Sequence, residues 1–417
     1  MAEDAWVYVD LGGHTQPVGR LWSRVRRGRE SASFEYDPDW LTHAERFALE
    51  PALTLGPAAH HTPPGLALFG ALGDSAPDRW GRTLMIRAER VRARSEERAP
   101  RTLTEFDYLL RVSDRARQGA LRFAVEPGGP FMSDADRDPV PPLIELPRLL
   151  AASDHVEAGG GDEYLLALLL APGSSLGGAR PKASVLDRDG SLAIAKFPKW
   201  DDTVDTVRWE AVTLSLADRA GIEVPERRLV HVGDRVALVI RRFDRDGDRR
   251  IPFLSAMSML SADDRDSRSY LEIADALRQH GAAPGTDLPA LWRRIIFNVL
   301  VSNTDDHLRN HGFLYVGNTG WRLSPAYDLN PTPVEVKPRF LSTAIDLEDT
   351  TASIDLALEV APYFALAADD ARAVARDVAL TTRDWRHAAD RAGLSRPAID
   401  AMASAFEHRD LDSALAL

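Results

Sequence analysis

Two acidic residues and one amide, set around a short hairpin, constrain this 417-residue chain more than any other feature. They lie in Asn303-Thr304-Asp305-Asp306-His307-Leu308-Arg309-Asn310 and, eighteen residues after Asn310, in Pro325-Ala326-Tyr327-Asp328. Between them stand Phe313-Leu314-Tyr315-Val316 and Trp321-Arg322-Leu323, two runs of strand-forming residues joined by a turn rich in Gly and Asn. The pattern predicts a polar loop, a β-hairpin, and a second acidic residue returned to the loop.

Asp305 and Asn310 are five apart, the spacing of the protein-kinase catalytic loop, in which the Asp accepts a hydroxyl proton and the Asn holds Mg²⁺. Phosphoryl transfer needs a carboxylate to orient the attacking hydroxyl and hard oxygen ligands for the metal. Asp305 is the candidate base, and Asn310 and Asp328 are the candidate metal ligands. Taken singly, each could equally cap a helix or build a turn; the shared spacing and the hairpin favour chemistry.

Length predicts two or three cooperating domains. The acidic start Met1-Ala2-Glu3-Asp4-Ala5-Trp6 resembles no export signal, and the longest apolar run, Tyr164 to Pro172, is too short to cross a bilayer. No membrane association is expected. Absence of cysteine removes disulfides and thiolate metal sites and fits the cytoplasm. A net charge of −12 argues against nonspecific nucleic-acid binding by the molecule as a whole. Two basic clusters are local exceptions: Arg20, Arg24, Arg26, Arg27 and Arg29, and eight arginines from Arg79 to Arg101. Such runs are more often solvated faces than nucleic-acid or partner surfaces.

Along the chain, residues 1–130 carry short β-like runs and an arginine-rich helix at about 76–95, and read as a small accessory domain. Glycines and prolines from Gly128 to Pro142 mark a boundary. Residues 131–242 follow, with an apolar helix at 163–170, a small-residue loop, and strands at 183–186 and 192–197. The loop Ser174-Ser175-Leu176-Gly177-Gly178-Ala179-Arg180-Pro181-Lys182 could bring backbone N–H groups close to phosphates. Lys196 sits in the second strand. A helix at about 203–220 carries Glu210, a candidate partner that would fix the lysine against the α- and β-phosphates. Residues 236–245 form a buried strand running into a charged turn, a hinge containing Arg241, Arg242 and Phe243. Residues 243–417 read as mainly helical.

Three motifs are set aside. His408-Arg409-Asp410-Leu411 copies a kinase string, but no Asn stands five beyond Asp410. Asp244-Arg245-Asp246-Gly247-Asp248 lacks the sixth-position Gly of a calcium loop. His307 and His311 have zinc spacing without the H-E-x-x-H glutamate, which leaves nucleotide contact as the better reading of His307.

Together these parts resemble the HipA family of serine/threonine kinases, toxins of bacterial toxin–antitoxin pairs. The family's Ser-x-x-Gly-Ala-x-x-Lys loop falls on Ser175, Gly178, Ala179 and Lys182, its ATP lysine on Lys196, and its Arg-Phe-Asp-Arg hinge on Arg242 to Arg245. Its Asp-x-His-x-Lys-Asn pattern falls on Asp305, His307, Arg309 and Asn310, and its Tyr-Asp pair on Tyr327-Asp328. Accessory signatures appear as Asp74-Ser75-Ala76-Pro77-Asp78-Arg79-Trp80-Gly81 and Gly119-Ala120-Leu121-Arg122-Phe123. Arg309 replaces the usual Lys, and Asp306 adds a charge beside Asp305.

The resemblance implies an α+β, bilobal protein-kinase-like fold with a β-rich accessory domain and a mainly helical C-terminal lobe. It implies ATP and Mg²⁺ as cofactors, with Gly177, Gly178, Ala179, Arg180, Pro181, Lys182, Lys196, Glu210, Arg241, Arg242, Phe243, His307, Arg309, Asn310, Tyr327 and Asp328 around the nucleotide. It further implies inactivation by autophosphorylation of Ser175, a HipB-like helix-turn-helix antitoxin as partner, DNA reached mainly through that antitoxin, and a protein substrate such as an aminoacyl-tRNA synthetase. Two other functions stay open: a small-molecule kinase of the aminoglycoside-phosphotransferase type, and a nonenzymatic nucleotide-binding partner of a DNA-bound antitoxin.

Overall fold

The computed structural model describes residues 4–132, 140–160, 162–170, 178, 180–317 and 319–417, with the Glu163 side chain excepted. Ser175, Gly177 and Ala179 lie outside the described residues. The fold is α+β, and the chain forms two compact units: residues 1–201 with 230–254, and residues 202–229 with 255–417.

The first unit holds two larger sheets, besides a short two-stranded ribbon of Arg245–Asp246 and Arg249–Arg250. In one, β1 (Asp4–Leu11), β2 (His14–Arg26), β3 (Arg29–Tyr36), β4 (His60–His61) and β5 (Leu121–Ala124) pair in the order β4-β3-β2-β1-β5, every pair antiparallel. Alternating side chains put Val7, Val9, Leu21 and Phe34 into the core. The arginine-rich helix is Arg79–Ser95. It starts at Arg79 because Pro77 ends the preceding segment and Asp78 caps it, accepting the Gly81 N–H at 2.7 Å. Glu89, buried on this helix, draws Arg98, Arg101 and Arg111 within 3.8 Å, so part of the basic run is consumed internally.

The second sheet is built from β6 (Lys182–Leu186), β7 (Leu192–Lys196), β8 (Arg227–Val232) and β9 (Arg235–Arg241), in the order β6-β7-β9-β8, with β8 contributing Val230–Val232 to this unit. Ala183, Val185, Ala193, Ala195 and Val239 pack one face against Leu149, Leu150, Leu166 and Leu169 of the flanking helices. Lys182 and Lys196 stand directly opposite each other across β6 and β7, and so share the other face.

The second unit is mainly helical. Its long helix, Pro284–Leu300, begins at a proline that needs no amide partner there, and it buries Leu291, Trp292, Ile295, Ile296 and Phe297. Trp385 stacks on Phe406 at 4.6 Å, with Trp209 tilted against both. Helix Thr206–Arg219 carries Glu210 and is capped by Asp205. The hairpin forms as Gly312–Tyr315 paired with Trp321–Leu323. The mainly helical expectation misses 324–353, which forms no helix and no strand longer than a bridge; its backbone is held by side chains from the loop before the hairpin.

Candidate functional site

The loop of the second unit emerges where the helix Pro284–Leu300 ends. Ser302 takes a left-handed φ of 50°, turning the chain, and Asn303 then bonds back to Asn298 through both backbone and side chain, at 2.9 and 3.1 Å. The next two acids go opposite ways. Asp305 is exposed, whereas Asp306 is 1% exposed. The Asp306 carboxylate accepts the Tyr270 hydroxyl at 2.6 Å and the Ser342 N–H at 2.6 Å, and its backbone oxygen accepts the Thr343 hydroxyl at 2.7 Å. Burial pushes this carboxyl up to about 6. The expectation that Asp306 adds a charge beside Asp305 is therefore corrected: its carboxyl is turned into the protein as an anchor.

Asn310 donates its amide N–H to the Asp305 carbonyl at 2.8 Å, a bond that does not use its amide oxygen. Beyond the hairpin, Tyr327 donates its hydroxyl to the Arg309 carbonyl at 2.6 Å. Asp328 adopts a left-handed φ of 57°, a conformation that costs a non-glycine residue roughly 1 kcal/mol or more. Asn330 ties it back, donating to the Asp328 carboxylate at 3.3 Å while its own N–H reaches Asn303 Oδ1 at 3.3 Å. Asn303, Asp306, Asn310, His311 and Tyr327 line one small cavity. Loop and returning acid are thus laced together.

Two further side chains differ from a bare nucleotide site. Arg309 is exposed and ion-paired with Asp264. His307 is half-buried, its Nδ1 buried without a hydrogen-bond partner among the described residues. His311 packs edge-on against Tyr270, and burial, reinforced by the Arg294 charge, drives its ring down to about 3.

In the first unit, Lys182 is 3% exposed and pairs with Asp78 at 2.8 Å, while Trp80 donates its indole N–H to the Lys182 carbonyl at 3.0 Å. The accessory signature thus grips the end of the small-residue loop. Lys196 is half-buried on the same sheet face. In the hinge, Arg242 gives its donors to Asp244 and to the Ala116 and Arg117 carbonyls. Gly119 donates its N–H to Asp244 at 2.7 Å with φ of 73°, and an added Cβ would stand 3.1 Å from the Phe253 nitrogen, so only glycine suits this approach. Burial alone would raise the Asp244 carboxyl; Arg242 and Arg245 overcome it and hold the group well below the carboxylate range. Phe243 lies against Phe253 at 6.3 Å, and exposed Arg241 reaches Asp189 at 3.4 Å. Glu210 is 4% exposed within its helix in the second unit.

Sequence spacing marked Asp305, Asn310 and Asp328, but not Tyr270, Asn298, Ser342 or Asp78. Tyr270 and Ser342 each stand 36 residues from Asp306, and Asp78, though part of the accessory signature, carries no local sign that it pairs with Lys182. Among the described residues no cluster of three or more His, Cys, Asp or Glu could hold a metal by side chains alone. The hard oxygens of Asn310 and Asp328 suit Mg²⁺, which is commonly held by one or two protein ligands together with substrate phosphates.

The sequence matches the HipA-like C-terminal domain over residues 174–405, more than half of the chain, and the HipA N-terminal domain over residues 9–123. The chain belongs to the HipA family. Across 98% of this HipA-family chain and 96% of the other, its fold is similar to HipA in the Shewanella oneidensis MR-1 complex of HipA, HipB and operator DNA, with a TM-score of 0.63 at 18% identity. It is 28% identical to a Haemophilus influenzae protein named "Putative kinase", over 37% of this chain and 52% of that protein. It is 30% identical to "Putative kinase Y4mE" of Sinorhizobium fredii, over 38% of this chain and 42% of that protein. The chain thus spans about half the length of these curated relatives.

Proposed function

We propose that this HipA-family chain is an ATP- and Mg²⁺-dependent serine/threonine protein kinase, the toxin of a bacterial toxin–antitoxin pair. The observation that carries this reading is the loop geometry: one exposed carboxylate, Asp305, beside an Asn310 amide whose N–H is tied to the Asp305 carbonyl, with Asp306 withdrawn into the protein. Asp305 accepts the proton of the attacking hydroxyl. The new bond runs from that oxygen to the γ-phosphorus, the bond to the bridging oxygen breaks, and ADP leaves. Asn310 and Asp328 would hold Mg²⁺, which offsets charge on the β- and γ-phosphates.

In this reading Lys196 meets the α- and β-phosphates and Glu210 orients it. Gly177, Gly178, Ala179, Arg180 and Pro181 offer backbone N–H groups and small side chains around the nucleotide. Lys182 and Arg242 act by fixing the loop and hinge, since Asp78 and Asp244 engage their charges. Arg241, Phe243, His307, Arg309 and Tyr327 border the nucleotide. The division into residues 1–130, 131–242 and 243–417 belongs to the same proposal. Phosphorylation of Ser175 would add roughly 1.5 to 2 negative charges to a loop meant for phosphates, and so shut it.

The relative seen with HipB and operator DNA supports a HipB-like helix-turn-helix antitoxin as partner, with DNA reached mainly through it, and a cytoplasmic setting. The substrate would be a translation component such as an aminoacyl-tRNA synthetase. Incubating the purified protein with γ-labelled ATP, Mg²⁺ and either cell protein or aminoglycosides tests the class. Label in serine or threonine of protein, Ser175 included, is expected. Label confined to the small molecule would replace this reading with the aminoglycoside-phosphotransferase type, and toxicity that survives Asp305→Asn would replace it with assembly alone.

A further inference from the structure

Among the described residues the β2–β3 hairpin outgrows its sheet. β1 pairs with β2 only as far as Trp22, and β4 pairs with β3 only at Ser33 and Phe34. The four pairs Ser23–Ala32, Arg24–Ser31, Val25–Glu30 and Arg26–Arg29 therefore form a two-stranded ribbon with no flanking strand among the described residues. Its tip, Arg27-Gly28, has left-handed φ at both positions, 53° and 75°, the tight turn that matches strand twist.

The two faces of this ribbon differ. On one, Glu30 accepts the N–H groups of Glu105 and Phe106 at 2.7 and 3.0 Å and the Ser23 hydroxyl at 3.0 Å, which pins the ribbon to the start of the helix Glu105–Arg111. The other carries Arg24, Arg26 and Arg29, with Arg27 at the turn, all exposed. None of these four has an ion pair among the described residues, although nearby Arg20 has Asp4 and Arg82 has Glu105. Arg26 and Arg29 are directly opposed, an arrangement of like charges that destabilises a strand pair. In a chain of net charge −12 acidic residues are plentiful, yet among the described residues none neutralises this face.

We infer that the outer face of this ribbon binds the phosphate backbone of duplex nucleic acid without reading its sequence. A two-stranded ribbon fits the major groove, and guanidinium groups pair well with phosphate oxygens. The aromatic side chains next to the basic face disfavour single strands: the guanidinium of Arg20 lies over the rings of both Trp22 and Trp6, at 5.3 and 5.4 Å, and so covers one face of each that a base could stack on. The inference does not rest on the kinase reading, and adds a direct contact to one made mainly through an antitoxin.

The test is fluorescence anisotropy of the full-length protein with a short mixed-sequence labelled duplex between about 50 and 200 mM salt, a range over which binding through phosphate contacts weakens steadily as salt rises. Wild type is compared with the triple variant Arg24→Ser, Arg26→Ser, Arg29→Ser. Each phosphate neutralised contributes about −0.9 to the slope of log affinity against log salt, so a wild-type slope of about −3 is expected, with most of it lost in the variant. An unchanged melting temperature and unchanged phosphate transfer would show the variant intact. Absence of salt-dependent duplex binding by wild type, which would leave an acidic protein as the occupant, overturns the inference. So does equal affinity of the two proteins, or tighter binding of a single strand of the same length.

Discussion

Tyr270 donates its hydroxyl to the Asp306 carboxylate at 2.6 Å while accepting the Asn298 amide at 2.9 Å, and this pair joins the helix Tyr270–His280 to the loop that carries Asp305. Tyr270→Phe leaves a buried carboxyl one donor short. A loss of about 1–3 kcal/mol is expected in urea denaturation. Because the loop also loses an anchor, phosphate transfer should fall about ten- to hundred-fold. Unchanged stability and rate together would mean that Asp306 does not anchor the loop.

The Lys182–Asp78 ion pair has both side chains almost fully buried. Removing one partner strands the other charge, so Asp78→Ala is expected to cost about 3–5 kcal/mol in chemical denaturation. The double change Asp78→Leu, Lys182→Met should cost much less. An equal cost for single and double variants would show that the pair is not what holds these residues.

His408 caps the helix Arg409–Ala416. Its Nδ1 accepts the Leu411 N–H at 3.3 Å and its Nε2 lies 3.2 Å from the Leu300 carbonyl, an arrangement that requires the neutral ring. Burial, reinforced by Arg339, lowers this ring to about 4. The unfolded chain binds a proton near pH 6.5 and the folded chain only near 4, so this stabilisation is full above 6.5 and is lost as the pH falls toward 4. His408→Asn keeps an acceptor at the cap without titrating. Its stability relative to wild type should therefore improve by about 1–2 kcal/mol from pH 7 to pH 4.5. A constant difference between the two proteins across that range would contradict the assignment.

The same histidine shows what sequence alone can carry. His408-Arg409-Asp410-Leu411 copies a kinase string, yet Asp410 holds Arg339 at 2.6 Å and the Ile354 N–H at 3.0 Å, so it braces the fold. Helices, strands and the hairpin were legible because periodicity, capping and turn residues are local. The loop from Asp305 to Asn310 was legible as a polar segment between a buried helix and a hairpin, and the roles of its residues belong to the proposal. Asp306 was misread because only burial separates it from Asp305, and burial comes from Tyr270 and Ser342, each 36 residues away. The Lys182–Asp78 ion pair was not legible either, because its partners stand about a hundred residues apart and no local pattern joins them.

The most direct test of the phosphoryl-transfer reading is a paired measurement of MgATP affinity and γ-phosphate transfer on wild type and Asp305→Asn. Asp305 is exposed and holds its neighbours through its backbone oxygen, so the variant should fold normally and bind MgATP with about the same affinity. The expected result is transfer by wild type and a loss of roughly 10²–10⁴-fold in the variant, the usual contribution of a positioned base. Transfer by Asp305→Asn at the wild-type rate, with equal MgATP affinity, would contradict it.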